Sequence, residues 1–396
     1  MDKRQFLRAG VAWAGAAHLP ATAFDRWSTR GTYPIGLDGG LNRDPLYRVG
    51  NYSGGFEKVL PWRAMAPSPV PLALRDSPVS DLRYPSAFGL RTPDDYLDKW
   101  PVTGLLVCRD GEILLERYRF ARTASMRMTS WSMAKSVSSL LLGICLDRGL
   151  IASYDDEAQK YLPELAGTLH GGVTLRNLSN MSSGAAISHD RDNSTIYPRA
   201  FLDSGSDIAS VVAGWNRRAQ EQGRRFNYNE LCPLTLGMVM RRVTGRSLSE
   251  FAEEVLWQPL GAQDMATWTT DSQRNEFNCV GFAATLRDWA RLGTLVANRG
   301  RAGGTQVVSE TWVNEFTRWG PLDAQVRHGV AMGGAGYKAL MWHIKPDGSR
   351  LSFNGFHAQR VIVDMPTRTV LVQTAVDHLG GWQGELLTLF EACTRI

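Results

Sequence analysis

Strand-forming runs in this 396-residue chain fall into two groups with a long helical middle between them, and that order limits the folds open to it. The first group is 102–108 and 112–118, two apolar runs joined by Arg109-Asp110-Gly111. An Asp-Gly pair between such runs is a strong hairpin signal, because both residues tolerate the positive φ angles a tight turn needs. The second group is 336–344, 350–353, 360–364 and 369–375. Helical periodicity covers 206–221, 232–244, 247–256 and 287–297, with shorter helices at 310–316 and near 383–394. A two-stranded hairpin cannot bury a face by itself. The pattern therefore predicts one antiparallel sheet completed by N- and C-terminal segments, flanked by helices, with a helical subdomain inserted: an α/β (α+β) architecture. The α/β part is expected over about 91–150 and 285–396, and the helical part over 151–284. Residues 24–90 are rich in Gly, Pro, Arg and Ser and read as an irregular lead-in; no internal repeat is present.

Composition narrows the function classes. A formal charge of +5, with 21% charged residues and no basic block, carries no nucleic-acid signature. No apolar run is long enough to span a membrane. At the N-terminus, Lys3-Arg4-Gln5-Phe6-Leu7-Arg8 precedes a short apolar stretch and Ala21-Thr22-Ala23. A basic region, an apolar region and an A-x-A-like site describe an export signal over 1–23, with lysine in the first position of a twin-arginine-like pattern. It predicts a periplasmic or secreted protein rather than a cytoplasmic one. An ordinary amphipathic N-terminal helix is the alternative. Cys108, Cys145, Cys232, Cys279 and Cys393 are scattered and lack metal-ligand spacing, so neither a zinc site nor an essential disulfide is expected.

The chemistry begins at Ser132-Met133-Ala134-Lys135, at the head of an apolar helical run. Residues three apart share a helix face, so the hydroxyl and the ammonium can meet. A serine hydroxyl needs a neighbour to take its proton, and a lysine in a closed site can share that work. With seven lysines in the chain, the pairing is more telling than the spacing alone. A second candidate is Tyr228, in Arg225-Phe226-Asn227-Tyr228-Asn229-Glu230 just before a helix. Its hydroxyl can point into a cleft and, beside a lysine, act as a base; equally it can be a core tyrosine. A third is Phe353-Asn354-Gly355-Phe356-His357-Ala358-Gln359 between two strands. An N–H at that edge, paired with that of Ser132, could bind an oxyanion; a simple sheet-edge bulge explains the glycine as well.

Taken together and in order, these segments resemble a family. Ser132 and Lys135 match its S-x-x-K, and 174–184 resembles T-[LI]-R-x-L-L-x-[MH]-[TS]-S-G. Residues 226–245 resemble F-x-Y-S-N…L-G…V-T-G, Pro259-Leu260-Gly261 resembles P-L-G-M, and 285–293 resembles T-A-R-D-L-A-R-F-G. The chain from about residue 100 onward is similar to the β-lactamase-related serine hydrolases of the class C type, which share the fold of serine β-lactamases and penicillin-binding proteins. Within them, Ser132–Ser136, 355–359, the Trp342 strand and Tyr47-Arg48-Val49-Gly50-Asn51 are similar to the 6-aminohexanoate-dimer hydrolase and carboxylesterase branch. Two departures stand out. Glu230 replaces the amide of the family's Tyr-x-Asn, and the Lys-Thr-Gly lysine is absent. Losing a cation and gaining a carboxylate argues against anionic β-lactam substrates.

The resemblance implies an ester or amide hydrolase that forms an acyl-enzyme on Ser132. Tyr228 and Lys135 would share the proton, and the Ser132 and Phe356 N–H groups would hold the oxyanion. No metal or organic cofactor is implied. Tyr197, Glu230, Trp342, Gly355 and His357 are the candidate substrate-binding residues, with a packing role equally open for Tyr197, Trp342 and His357. The expected partner is a small ester or amide, bound by a monomer or a homodimer. The alternatives are a β-lactamase or D-alanyl-D-alanine carboxypeptidase, and a non-catalytic penicillin-recognising-like binding protein.

Overall fold

The computed structural model describes residues 55–396 apart from 59, 121, 190, 193–195, 197–206, 324–335 and 377–379. The N-terminal basic stretch, residues 47–51 and Tyr197 lie outside that set.

The main sheet draws on both ends of the chain. Its strands are β1 (Arg75–Asp76), β2 (Val102–Arg109), β3 (Glu112–Tyr118), β4 (Gly336–Lys338), β5 (Met341–His343), β6 (Arg350–Gly355), β7 (Gln359–Asp364) and β8 (Thr369–Ala375). They lie in the order β4-β5-β6-β7-β8-β2-β3-β1, antiparallel except where the short β1 joins β3. The β2–β3 turn has φ of 50° at Asp110 and 81° at Gly111, as the Asp-Gly signal requires. The seam between the two groups is β8 on β2, with Val370 opposite Cys108 and Val372 opposite Leu106.

Alternation along each strand decides what covers which face. Leu105, Val107, Leu371 and Ala375 face one way, onto α1 (Pro93–Lys99) and the C-terminal α9 (Gln383–Cys393). Leu106, Cys108, Val370 and Val372 face the other way, into the larger core. Among the helices there, α2 (Ala134–Asp147), α5 (Leu231–Thr244) and α7 (Leu286–Ala297) supply much of the apolar surface. Thr285 caps α7 by accepting from the Asp288 N–H, and Gly293 lets that helix press onto Val370 and Val361. Between α2 and α5, α3 (Leu175–Ser179) and α4 (Ile208–Gly214) belong to the helical part, while α6 (Leu248–Ala252) and α8 (Glu310–Thr317) flank it.

Two expectations are corrected. The stretch 336–344 is not one strand but the β4–β5 hairpin, turned at Ala339 and Leu340 with φ of 48° and 65°. Nothing local signals that turn. It is held from outside, where Ala339 N–H donates to Asn180 Oδ1 at 2.9 Å and Leu340 N–H to the Ser179 carbonyl at 2.9 Å. The helix expected over 206–221 is helical over Ile208–Gly214. Beyond Trp215 the chain peels off, because Ala219 N–H donates to the Gly184 carbonyl at 2.8 Å instead of continuing the helix ladder.

Candidate active site

Helix α2 is buried from Ala134 to Cys145, so its first turn sits in the middle of the molecule. A short 3-10 turn, Trp131–Met133, leads into it. Trp131 has φ of 46°, a left-handed backbone that costs a non-glycine residue about 1–3 kcal/mol and collects at functional sites. This turn leaves Ser132 half-exposed while Met133, Ala134 and Lys135 are buried.

Lys135 has three partners. Its Nζ donates to Ser132 Oγ at 2.9 Å and to the Cys279 carbonyl at 3.1 Å, and it lies 2.6 Å from Glu230 Oε2. Two of these contacts are hydrogen bonds, and the third is an ion pair. The Tyr228 ring lies under the same nitrogen, 4.9 Å to its centroid. The segment 226–230 reaches this place because Asn227 N–H donates to the Met181 carbonyl at 2.7 Å and its amide to the Ala185 and Ile187 carbonyls. Asn229 Oδ1 then accepts from the Cys232 N–H at the head of α5, which leaves Glu230 directed at Lys135. Behind Tyr228 stands an aromatic wall. Trp342 stacks on its ring at 5.5 Å and 28°, and Tyr337 and Phe226 complete the cluster.

Electrostatics follow from these contacts. Burial opposes the charge on Lys135, but Glu230, Tyr228 and Cys279 together outweigh it and raise the ammonium above the ordinary lysine range. Burial likewise opposes the charge on Glu230, yet Lys135 and then His189 prevail and hold the carboxyl at about 2. Burial pushes the Tyr228 hydroxyl up, Lys135 pulls it down, and Glu230 pushes it up again. Hydrogen bonding with Ser132 and Lys135 moderates that rise. The Cys279 thiol is pushed well up, chiefly by burial.

The end of β6 closes the site from the other side. A Cβ on Gly355 would overlap the Ser130 carbonyl and come within 2.9 Å of Gln359 Cβ, so a glycine lets this strand edge lie against the Ser132 turn. Phe356 follows, 45% exposed, its ring edge-on to Trp131 at 5.4 Å; Phe56 of the lead-in meets Trp131 at 5.2 Å. These rings form an apolar rim beside the serine.

The structure brings Ser132, Lys135, Tyr228, Phe356 and Gly355 together. Trp342 is nearly buried and supports Tyr228, and His357 is buried behind Phe356, stacked at 4.0 Å. Glu230 requires correction. It is 1% exposed and ion-paired to Lys135, so it does not face a substrate as a free carboxylate. His189, Tyr337, Trp131, Phe56 and the Cys279 carbonyl were not foreseen. His189 reaches Glu230 Oε1 at 3.5 Å from a side chain that is 42% exposed. Trp131 is the chain neighbour of Ser132, whereas the other four arrive from segments distant in the chain and carry no local signal. A separate surface cleft of about 610 Å³, bounded by Trp62, Arg63, Ser249 and Arg274, shares no residue with this site.

The beta-lactamase family profile matches residues 95–389. The chain is 28% identical over 312 residues to the 6-aminohexanoate-dimer hydrolase of Paenarthrobacter ureafaciens, covering 72% of this chain and 76% of that protein. A Bacillus anthracis structure provisionally assigned as a 6-aminohexanoate-dimer hydrolase superposes with a TM-score of 0.78 at 19% identity, over 89% of this chain and 94% of that one. A family VIII carboxylesterase superposes with a TM-score of 0.59 at 19% identity, over 75% of this chain and 93% of that one.

Proposed function

Because the chain belongs to the beta-lactamase family, we propose that this hydrolase works through Ser132 and cleaves amide or ester bonds of a small molecule whose acyl group carries no negative charge. The observation that carries the reading is the Lys135 Nζ–Ser132 Oγ hydrogen bond of 2.9 Å, made by a buried ammonium at a half-exposed hydroxyl beside Tyr228. Ser132 Oγ attacks the carbonyl carbon and its proton passes into the Lys135–Tyr228 pair. The Ser132 and Phe356 N–H groups receive the oxyanion, fixed donors being worth most where charge develops. The pair returns the proton to the leaving nitrogen or oxygen. Water, activated by the same pair, then frees the acyl group from Ser132.

Two features weigh against an acyl group that carries a carboxylate. Glu230 pairs with Lys135, and the family's second lysine is absent, so neither position offers a spare cation to a carboxylate on the acyl group. The rim of Trp131, Phe356 and Phe56 offers apolar surface instead. Similarity to the Paenarthrobacter ureafaciens 6-aminohexanoate-dimer hydrolase favours amides within this class. The basic N-terminal stretch favours a periplasmic or secreted site of action, which fractionation of expressing cells would test.

The test is turnover of p-nitrophenyl butyrate, 6-aminohexanoate dimer and nitrocefin, with Ser132→Ala as control. Serine-dependent cleavage of the ester or the amide with inert nitrocefin is expected. Fast nitrocefin turnover would move the protein to the β-lactamases. Silence on all three by a folded protein would favour a binding role.

A further inference from the structure

We propose that Glu230 is a positioning residue that tunes the proton affinity of the Ser132–Lys135–Tyr228 set, keeping its shared proton bound up to alkaline pH, with His189 offsetting the carboxylate from outside. The proposal rests on the serine-hydrolase reading and adds to it a role for a residue that touches no substrate.

The case starts from where the charge of Glu230 can act. A buried carboxylate persists only when paired, and this one is 1% exposed. Its pairing groups are Lys135 at 2.6 Å, from the first turn of α2, and His189 at 3.5 Å, from the segment ahead of α4. Among the described residues, the titratable groups facing it besides these are Tyr228 on its own segment, Cys232 in the first turn of α5, Cys279 from the turn behind Lys135, and Tyr337 on β4. It caps no helix, since the α5 cap is not bonded by its side chain and Asn229 holds the Cys232 N–H. A neutral amide could fill the same space and still accept from Lys135. What the carboxylate adds is charge, delivered to the proton-transfer groups.

The sign of its effect does not depend on which group carries the proton. A negative charge favours the protonated form of every neighbour, so Glu230 pushes both Lys135 and Tyr228 upward, in Tyr228 alongside the larger effect of burial. Two such coupled groups lose one proton in a macroscopic step that belongs to the pair. The acid limb of kcat/KM reports that step in the free enzyme. With Glu230 in place, the limb therefore lies to the alkaline side.

The test is the pH profile of kcat/KM on p-nitrophenyl butyrate for the full chain, Glu230→Gln and His189→Lys. Removing an ionised neighbour within about 4–6 Å moves a pKa by roughly 1–3 units, so Glu230→Gln should shift the acid limb down by at least about one unit. Below the limb its rate would then exceed the parent's by about tenfold or more. His189→Lys puts a permanent cation on the exposed side of the carboxylate and should shift the limb the same way by less. This variant leaves the buried pair intact, so it carries the test if Glu230→Gln does not fold. A merely structural Glu230 would lower kcat at every pH and leave the limb in place. A limb unmoved in a folded, Ser132-dependent variant overturns the proposal. If the parent shows no Ser132-dependent turnover, the hydrolase reading fails separately. Tyr228 ionisation, read by ultraviolet titration against Tyr228→Phe, then decides: a lower midpoint in Glu230→Gln supports the tuning, and an unchanged one refutes it.

Discussion

Replacing Gly355 by alanine tests the proposed oxyanion site formed by the Ser132 and Phe356 N–H groups. The added Cβ would overlap the Ser130 carbonyl oxygen by more than about 1 Å, well inside the 3.4 Å at which ordinary contact begins, and would lie 3.3 Å from Met133 Cγ. Ser130 cannot easily yield, because its N–H donates to the Phe282 carbonyl at 2.8 Å and its carbonyl accepts from the Met133 N–H. Nor can the methyl slide along the strand, since Gln359 Cβ blocks it at 2.9 Å. The end of β6 must therefore retreat from the Ser132 turn by about 1 Å, taking the Phe356 N–H with it. Loss of one oxyanion donor costs about 2.7–4 kcal/mol of transition-state stabilisation, or 10²–10³ in kcat. Overpacking costs about 1–3 kcal/mol of folding stability besides. Steady-state kinetics on p-nitrophenyl butyrate should show kcat down by that factor with KM little changed, alongside a modestly lower melting temperature. A Gly355→Ala enzyme within about threefold of the parent in kcat would refute the assembly as described, since that is under 1 kcal/mol.

Other expectations follow from buried groups. Lys135→Met leaves Glu230 buried without its cation and should cost about 3–5 kcal/mol in urea unfolding, whereas Lys135→Met/Glu230→Leu should recover most of that stability and remain inactive. Trp342→Ala removes the ring stacked on Tyr228 and should cost about 3–5 kcal/mol with a large fall in kcat; Trp342→Phe should be milder on both measures. His170 and His343 are held neutral by burial, their pKa lowered from 6.5 to about 4. The unfolded chain therefore takes up protons first, and stability falls as pH drops from 6.5 towards 4, by up to about 3 kcal/mol for each histidine. Melting temperatures of the Ser132→Ala protein across that range should show the slope, and His343→Gln should remove part of it.

What the sequence disclosed depended on how local each interaction is. The Ser132–Lys135 contact follows from helix geometry within one turn, so spacing alone pointed to it. The β2–β3 hairpin and β8 were equally legible, because alternation and an Asp-Gly turn are properties of short segments. The β4–β5 turn was not, since Asn180 and Ser179 hold it and neither is near it in the chain. Glu230 shows the same limit at the site. Its residue type suggested a carboxylate facing a substrate, but its partner comes from another helix, and only the approach of 226–230 to α2 turns it inward. His189 and Phe56 owe their places to such long-range approaches too.

The seam between β8 and β2 has a consequence for how this protein is made. Cys108 and Val370 stand opposite each other across that seam, so β2 and β3 leave the ribosome long before the strand that completes their sheet. A growing chain holds Ser132 and Lys135 early, but Tyr337, Trp342 and Gly355 arrive only near the end of synthesis. Pairing segments so far apart is slow, because the intervening chain must be ordered before the contact rewards it. A nascent or prematurely terminated chain therefore exposes half a sheet and lacks the aromatic wall beside Ser132. Such a product should be inert as a hydrolase and a ready target for chaperones and proteases, so truncation near the C-terminus ought to lower protein abundance as well as activity.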